Sequence, residues 1–333
     1  MHIQRGAWAE INLDAVAHNV QMAKANLKPT TKLCAVVKAD AYGHGAVRVA
    51  QEAARNGADF FAVALLQEGV KLREAGIETP ILVLGSMLPE VAEICVRYDI
   101  SHAVFDEERL YALNAAALKL HTKAKIHIKI DTGMHRIGVH VRDAGRFAKL
   151  AASLPGIYIE GVFSHFATAD ADDKQYAAYQ FERFQEALRL IEAEGVHIPI
   201  RHIANSAALT ELQEYQLDMV RQGITLYGLH PAHMIDCYKD FESVMTVKTQ
   251  VAFVKTLPPG ETIGYGRTYT LTRPSVIATV PIGYADGVSR RLSNRGYMLV
   301  NGMKAPIIGR VCMDQFMVDL GPAEGEPGTP TAR

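Results

Sequence analysis

The sequence predicts an α/β fold: a (β/α)8 barrel of the TIM type followed by a smaller all-β domain. Eight short apolar or β-branched runs alternate with helix-period segments between residue 11 and about residue 235. From residue 236 the pattern changes to strand-like alternation. A chain of 333 residues is too long for one ordinary core but accommodates a barrel and a second domain. A doubly wound open sheet is the rival, yet it does not require eight units, and no GxGxxG follows the first strand.

In chain order, Leu13, Val16, Val20, Ala23 and Leu27 recur at steps of three and four behind Asp14, a good N-cap, and so predict an amphipathic helix. Strands are expected at Leu33–Val37, Asp59–Val63, Pro80–Leu84, Ser101–Phe105, Lys125–Ile130, Ile157–Phe163, Ile200–Ile203 and Leu217–Val220. Between them lie helices such as the one entered through Asp106 and the one running through Phe181, Phe184, Leu188 and Ile191 to a stop at Gly195. Beyond them, Met245, Val247, Thr249, Val251 and Phe253 alternate with more polar neighbours, and Pro258-Pro259-Gly260 reads as a turn. Asn301-Gly302 is a two-residue hairpin turn, and Val311 to Leu320 alternates again. The expected domains are 11–235 for the barrel and 236–320 for the β domain, with residues 1–10 able to pack with the latter. Residues 321–333, rich in Gly and Pro, are expected to be a flexible tail.

Composition narrows the function. Nearly half the residues are apolar and about a fifth charged, as in a globular soluble protein. A net charge of −1 gives no electrostatic case for nucleic acid or an anionic membrane. Cys34, Cys95, Cys237 and Cys312 are scattered, with neither zinc spacing nor a disulfide framework. No apolar signal core or membrane-length apolar run is found, which predicts a cytoplasmic protein.

Active sites of such barrels lie at the carboxyl ends of the strands. Candidates there are Lys38 after the first strand, Arg136 after the fifth and His165 after the sixth. The seventh adds Asn205 and Ser206, the eighth Arg221 and Gly223. A lysine ending a strand can form a Schiff base. The Gly43-His44-Gly45 turn beyond it, or the last two strands, could offer a phosphate site. A lysine facing a phosphate clamp fits either pyridoxal phosphate or a sugar-phosphate aldolase, and periodicity does not choose. His127, on a strand face with Lys129, and His202 lack a carboxylate at convincing metal-ligand spacing, so core histidines and no metal are expected.

The ordered motifs AVVKADAYGHG, KIDTGMHRIG, FSHFATAD, HIANSAA, VRQGITLYG, IGYGRTY, PIGYADG and GRVCMDQFMVD, from residue 8 to about 320, resemble the alanine racemases. That resemblance implies a pyridoxal 5'-phosphate enzyme that interconverts L- and D-alanine with two bases and supplies D-alanine for peptidoglycan. It implies a homodimer whose active sites are shared between subunits. Lys38 would hold the cofactor and act as one base, although a free lysine has a pKa near ~10.4 and needs a cationic, partly dry site. Tyr265, contributed by the partner, would be the other, supported by His165, which is linked to Arg221. Arg221 would face the pyridine nitrogen; a donor-only guanidinium leaves that ring neutral, a weaker electron sink than an aspartate would give. Arg136 would contact the cofactor oxygen and the substrate carboxylate, oriented by Lys129, which is carbamylated in many family members and lies earlier on the same strand. Tyr42, Ser206 and the N–H groups of Gly223 and Ile224 would bind phosphate, with Asn205 orienting neighbours. Met313, through its backbone N–H, and Tyr284 would serve the substrate, with Asp286 and Arg310 lining the entrance and Cys312 a filler.

The family's β domain continues beyond VCMDQFMVDL to a further phosphate-binding tyrosine that nothing here matches, so the β domain is expected to be truncated at its carboxyl end. A serine or broad-specificity racemase is the near alternative. A non-catalytic pyridoxal-phosphate carrier lacks the β domain, and an aldolase is disfavoured by that domain and by Arg221.

Overall fold

The computed structural model describes residues 6–231 and 236–323. The chain divides into two compact units, Ile11–Met245 and a second made of Met1–Glu10 with Thr246–Arg333. Tyr238, Phe241 and Val244 are buried in the core of the first unit, which therefore extends past residue 235.

In the first unit β1 (Lys32–Val36), β2 (Phe60–Val63), β3 (Ile81–Val83), β4 (Ser101–Val104), β5 (Ala124–Asp131), β6 (Ile157–Phe163), β7 (Ile200–His202) and β8 (Met219–Gln222) are parallel, in the order β8-β1-β2-β3-β4-β5-β6-β7. Backbone bonds from Asp218 to Arg201 and from Arg221 to Ala204, each 3.1 Å, bring the two ends together into a nearly closed barrel. Both faces of these strands are buried, which is why they read as continuous apolar runs rather than alternating ones. Leu33, Ala35, Val37, Phe61 and Val63 pack with helix residues in the large core, whereas Cys34, Val36, Phe60, Ala62, Ile200 and Met219 form a separate cluster inside the barrel.

Local departures have local causes. The first helix, Leu13–Ala25, is capped by Asn12, whose Oδ1 accepts from the N–H groups of Asp14 and Ala15; Asp14 lies in the first turn, not at the cap. β8 begins at Met219 because Leu217 takes φ +51° and Asp218 is tied to Arg201. In the β5–β6 ladder the partner advances from Ile159 to Gly161 between Ile126 and His127, which makes Glu160 the extra residue of a bulge. Immediately after β1, Ala39, Asp40, Ala41 and Tyr42 all have φ between 51° and 55°, a turn of left-handed helix without a glycine. It is held by Ala46 N–H donating to the Asp40 carboxylate (3.0 Å), Gly45 N–H to Asp40 O (2.9 Å) and Ala39 N–H to Glu68.

The second unit contains an antiparallel sheet of β9 (Phe253–Leu257), β10 (Ser275–Val280), β11 (Tyr297–Val300), β12 (Met303–Ile308) and β13 (Phe316–Pro322), in the order β9-β10-β13-β12-β11. Alternation along β10 feeds two clusters, Ala278 and Val280 on one face and Ile277 on the other. Asn301 and Gly302, both at positive φ, make the β11–β12 hairpin turn. The alternating run from Met245 to Phe253 is two strands rather than one, Met245–Thr249 and β9. Val311–Gln315 is a loop closed by Cys312 N–H to Gln315 O (2.9 Å), so strand structure starts only at Phe316. β13 continues through Gly321 and Pro322 into the expected tail; residues 324–333 of that tail lie outside the described residues. No helix among the described residues is long and apolar enough to cross a membrane.

Candidate active site

The carboxyl ends of the barrel strands surround a cavity of about 620 Å³. Lys38, Tyr42, Lys129, Arg136, His165, Asn205, Ser206, Arg221, Gly223 and Ile224 all line it. They come from β1, β5, β6, β7 and β8 or the segments just after them, so strand geometry alone gathers residues up to 186 positions apart.

One wall is built for an anion. The left-handed turn carries Tyr42 back over the pocket, 4.9 Å from the Tyr227 ring, with the Lys38 ammonium 5.9 Å from the Tyr42 centroid. Tyr227 is anchored by its hydroxyl to Val36 O at 2.9 Å. Ser206 opens a short helix capped by Asn205, whose side chain accepts from Ala208 N–H at 3.1 Å. Gly223 N–H donates to Ser206 Oγ at 2.8 Å. A Cβ on Gly223 would lie 3.2 Å from the Tyr42 hydroxyl and 3.7 Å from Ser206 Oγ, so glycine keeps open a small space bounded by hydroxyls and backbone N–H groups. By contrast, the N–H groups of His44 and Gly45 are spent on Ala41 O and Asp40 O, and the Gly43-His44-Gly45 turn does not line the cavity.

The floor is cationic. Arg221 is almost fully buried and donates through Nη1 to His202 Nδ1 (2.7 Å) and through Nη2 to Ser164 O, His165 Nδ1 and Ile203 O (2.9–3.0 Å). No hydrogen bond of its Nε–H is found among the described residues. Burial lowers even this guanidinium to about 10. His165 is held well below the usual imidazole range by burial first and then by Arg221, Lys129, Arg136 and Lys38. It is therefore neutral; because a guanidinium can only donate, His165 accepts at Nδ1 and carries its proton on Nε2. Gln180, wholly buried on the helix Gln175–Ala193, donates to His165 O (3.1 Å) and accepts from Ala167 N–H (2.8 Å), fixing the segment that presents the ring.

Lys129 is 3% exposed, donates to Ile130 O (3.0 Å) and sits 5.2 Å from the Phe163 centroid. Burial, followed by the Arg221 charge, lowers its amine to about 7, so near neutral pH much of it is uncharged and nucleophilic. Arg136 is not on the same strand as Lys129: β5 ends at Asp131, and Arg136 stands in the following loop, with no hydrogen bond or ion pair among the described residues.

Tyr265, Tyr284, Met313 and Arg310 belong to the second unit, where they line another pocket of about 800 Å³ with Arg290 and Cys312. Gly264 at φ +70° and Gly266 at φ +72° flank Tyr265, which is 72% exposed. The 311–315 loop brings Met313 into this pocket, and the Asp286 carboxylate accepts from Gly283 N–H at 2.9 Å.

Sequence reasoning missed several groups. Gln180 sits in a helix whose pattern marks only its apolar face. Ser164, between Lys129 and Thr132 (Oγ–Oγ 2.8 Å to the latter), and Asp170 of the cavity wall lie inside FSHFATAD without being singled out. Glu160 is turned onto His127 by the bulge, a carboxylate beside the histidines that linear spacing did not reveal.

Comparison with known proteins agrees along the chain. Residues 11–231 match the alanine racemase N-terminal domain and residues 244–331 the alanine racemase C-terminal domain. The chain is 46% identical to an alanine racemase of Desulfovibrio desulfuricans, over 95% of this chain and 85% of that protein. It is 48% identical to one from Halothermothrix orenii, over 96% and 84%. The crystal structure of alanine racemase from a D-cycloserine-producing Streptomyces lavendulae superposes with a TM-score of 0.91 at 36% identity, covering 98% of this chain and 86% of that one.

Proposed function

The chain belongs to the alanine racemase family, and from that premise we propose that it is a pyridoxal-phosphate enzyme interconverting L- and D-alanine, in the cytoplasm, to supply D-alanine for peptidoglycan. The observation that carries this reading is one cavity holding a lysine, a donor-only arginine and a glycine-cleared cluster of hydroxyls.

The cavity fits the cofactor. Tyr42, Ser206 and the Ile224 N–H would take its phosphate, and the Gly223 N–H would exchange its present bond to Ser206 Oγ (2.8 Å) for it; Arg221 would face its ring nitrogen, and Lys38 would anchor it covalently. When bound, the group supplies an electron sink that acidifies the substrate Cα–H. The protein supplies the rest. Racemisation needs one proton removed from one face of Cα and another delivered to the opposite face, so two residues must flank that carbon. Lys38 is the base on one face. Tyr265 is the base on the other, presented by a second copy of the chain in a homodimer. Its phenol is helped by the Nε2–H of neutral His165, a donor suited to a phenolate oxygen. Arg221 would leave the ring nitrogen unprotonated, because a guanidinium donates a hydrogen bond to it without transferring the proton, and would so restrain side reactions that a stronger sink would permit. Arg136, with the Met313 N–H of the second copy, would hold the substrate carboxylate, and Tyr284 would border its approach. Lys129, as a carbamate, would give the unpaired Arg136 an anion to lean on.

Chiral analysis of an amino-acid panel incubated with the cofactor-loaded protein tests this reading. Alanine should racemise fastest, and Lys38→Ala should lose both the near-visible absorbance of the bound cofactor and the activity. Faster turnover of serine would reassign the substrate; no racemisation of any amino acid by the loaded protein would sink the proposal.

A further inference from the structure

Beneath Arg221 lies a buried polar chain that the racemase reading does not use. Arg221 Nη1 donates to His202 Nδ1 (2.7 Å), and His202 Nε2 meets His127 Nδ1 (2.8 Å). His127 Nε2 meets Glu160 Oε2 (3.0 Å), to which Ser101 Oγ also donates (2.5 Å). Both histidines are fully buried.

The direction of this chain is forced. A guanidinium has no acceptor, so His202 Nδ1 must carry a lone pair and the ring's single proton must sit on Nε2. That proton points at His127 Nδ1, which must therefore accept, placing the His127 proton on Nε2 and toward the carboxylate. A second proton on His127 would leave His202 with none on either nitrogen. Two neutral rings of fixed tautomer thus connect a cation at the cavity floor to an anion low in the barrel.

Independent features make room for this arrangement. The β6 bulge sets Glu160 and Gly161 together against His127. A Cβ at Gly161 would lie 2.4 Å from His127 Nδ1, so only glycine leaves space for the ring. The His202 ring is clamped flat against Phe163, 4.9 Å between centroids and 6° between planes. Burial opposes the charge on Glu160, but His127, Ser101 and the Lys125 charge together outweigh it and hold the carboxyl below its ordinary value.

We infer that Glu160 is a positioning residue for Arg221: the guanidinium sets the tautomers of His202 and His127, and the carboxylate that accepts at the far end of the chain polarises both rings and so strengthens the acceptor that holds the guanidinium at the cavity floor. The relay belongs to the barrel itself; its effect on turnover rests on the racemase reading.

The test uses Glu160→Gln, which keeps an acceptor oxygen and loses the charge, and Ser101→Ala, which only weakens the terminus. In cofactor-free protein carrying ¹⁵N-histidine, wild type should show both rings protonated on Nε2. In Glu160→Gln the Nε2 protons of His127 and His202 should both move upfield, although Glu160 does not touch His202, and Ser101→Ala should give a smaller shift of the same sign. In the loaded enzyme, replacing a charged acceptor by a neutral one should lower kcat about five- to tenfold with KM for alanine changed by less than about twofold. An Nδ1-protonated ring, an unmoved His202 signal, or shifted signals with unchanged kcat would each overturn the inference. The histidine signals are read without cofactor, so their failure counts against the relay alone; a wild-type chain that racemises nothing counts against the racemase reading alone.

Discussion

Gly223→Ala separates holding the cofactor from holding the fold. The added Cβ would sit 3.2 Å from the Tyr42 hydroxyl, a few tenths of an ångström inside ordinary contact, in the space proposed for phosphate. Gly223 has φ −106°, outside the left-handed region, so no handedness penalty attends the change. A phosphate displaced from one hydroxyl loses a hydrogen bond to a charged group, worth about 1.5–3 kcal/mol, or roughly 10- to 150-fold in affinity. The matched control is Gly228→Ala, five residues on, where φ is +68° and a Cβ would lie 1.9 Å from Glu242 O. That variant should lose about 3 kcal/mol or more of stability through left-handed strain and backbone collision. Titration of each cofactor-free protein with pyridoxal phosphate, beside urea unfolding, reads both quantities. Unchanged cofactor affinity in Gly223→Ala, or a stability loss equal to that of Gly228→Ala, would refute the assignment of this space to phosphate.

Tyr265→Phe should slow proton exchange at Cα far more in one direction of racemisation than in the other; equal losses in deuterium-exchange kinetics from L- and D-alanine would count against two flanking bases. Lys129 has its amine lowered from 10.5 to about 7, so between those values the unfolded chain binds the extra proton and wild-type stability should rise with pH, by up to roughly 5 kcal/mol. Lys129→Met, unfolded in bicarbonate-free buffer across that window, should abolish the rise and be the more stable protein at pH 7. Adding bicarbonate should stabilise wild type but not the variant if the lysine carries a carbamate. His102 is fully buried, donates to Ala103 O (2.7 Å), and is lowered by burial from 6.5 to about 4. The unfolded chain therefore takes up the proton first, and stability present above pH 6.5 should decline toward pH 4 by roughly 3 kcal/mol through this group. His102→Phe should lessen that acid decline in denaturant titrations; an unaltered slope would show that the decline comes from other groups.

The barrel was legible because strands buried on both faces leave unbroken apolar runs, and the cavity because its side chains follow those runs directly. Lys38, His165, Ser206 and Arg221 share one pocket for that reason. What escaped depended on backbone detail that side-chain pattern does not encode. Asn12 and Asp14 are both good caps, and only the chain path chooses Asn12. Alternation from Val311 onward looks continuous, yet the 311–315 loop interrupts it. Arg136 follows Lys129 by only seven residues and reads as part of one run, but the strand has already ended at Asp131. Glu160 is turned onto His127 by a bulge, which shifts alternation by one and hides a residue from any count of inward positions.

The left-handed turn at Ala39–Tyr42 has a consequence for how the molecule matures. Four L-residues in mirror-image winding cost roughly 1–2 kcal/mol each. The turn persists because Glu68 and the His44 ring, which contacts Ala41 O and Tyr42 O, grip it from outside, and because its own Asp40 carboxylate reaches forward to Ala46 N–H. A nascent or partly unfolded chain, lacking those grips, relaxes to ordinary right-handed or extended geometry and carries the Tyr42 phenol away. On the role proposed for Tyr42, such a chain would keep the Lys38 amine without the complete clamp, so durable capture of a phosphorylated aldehyde would report that folding has finished.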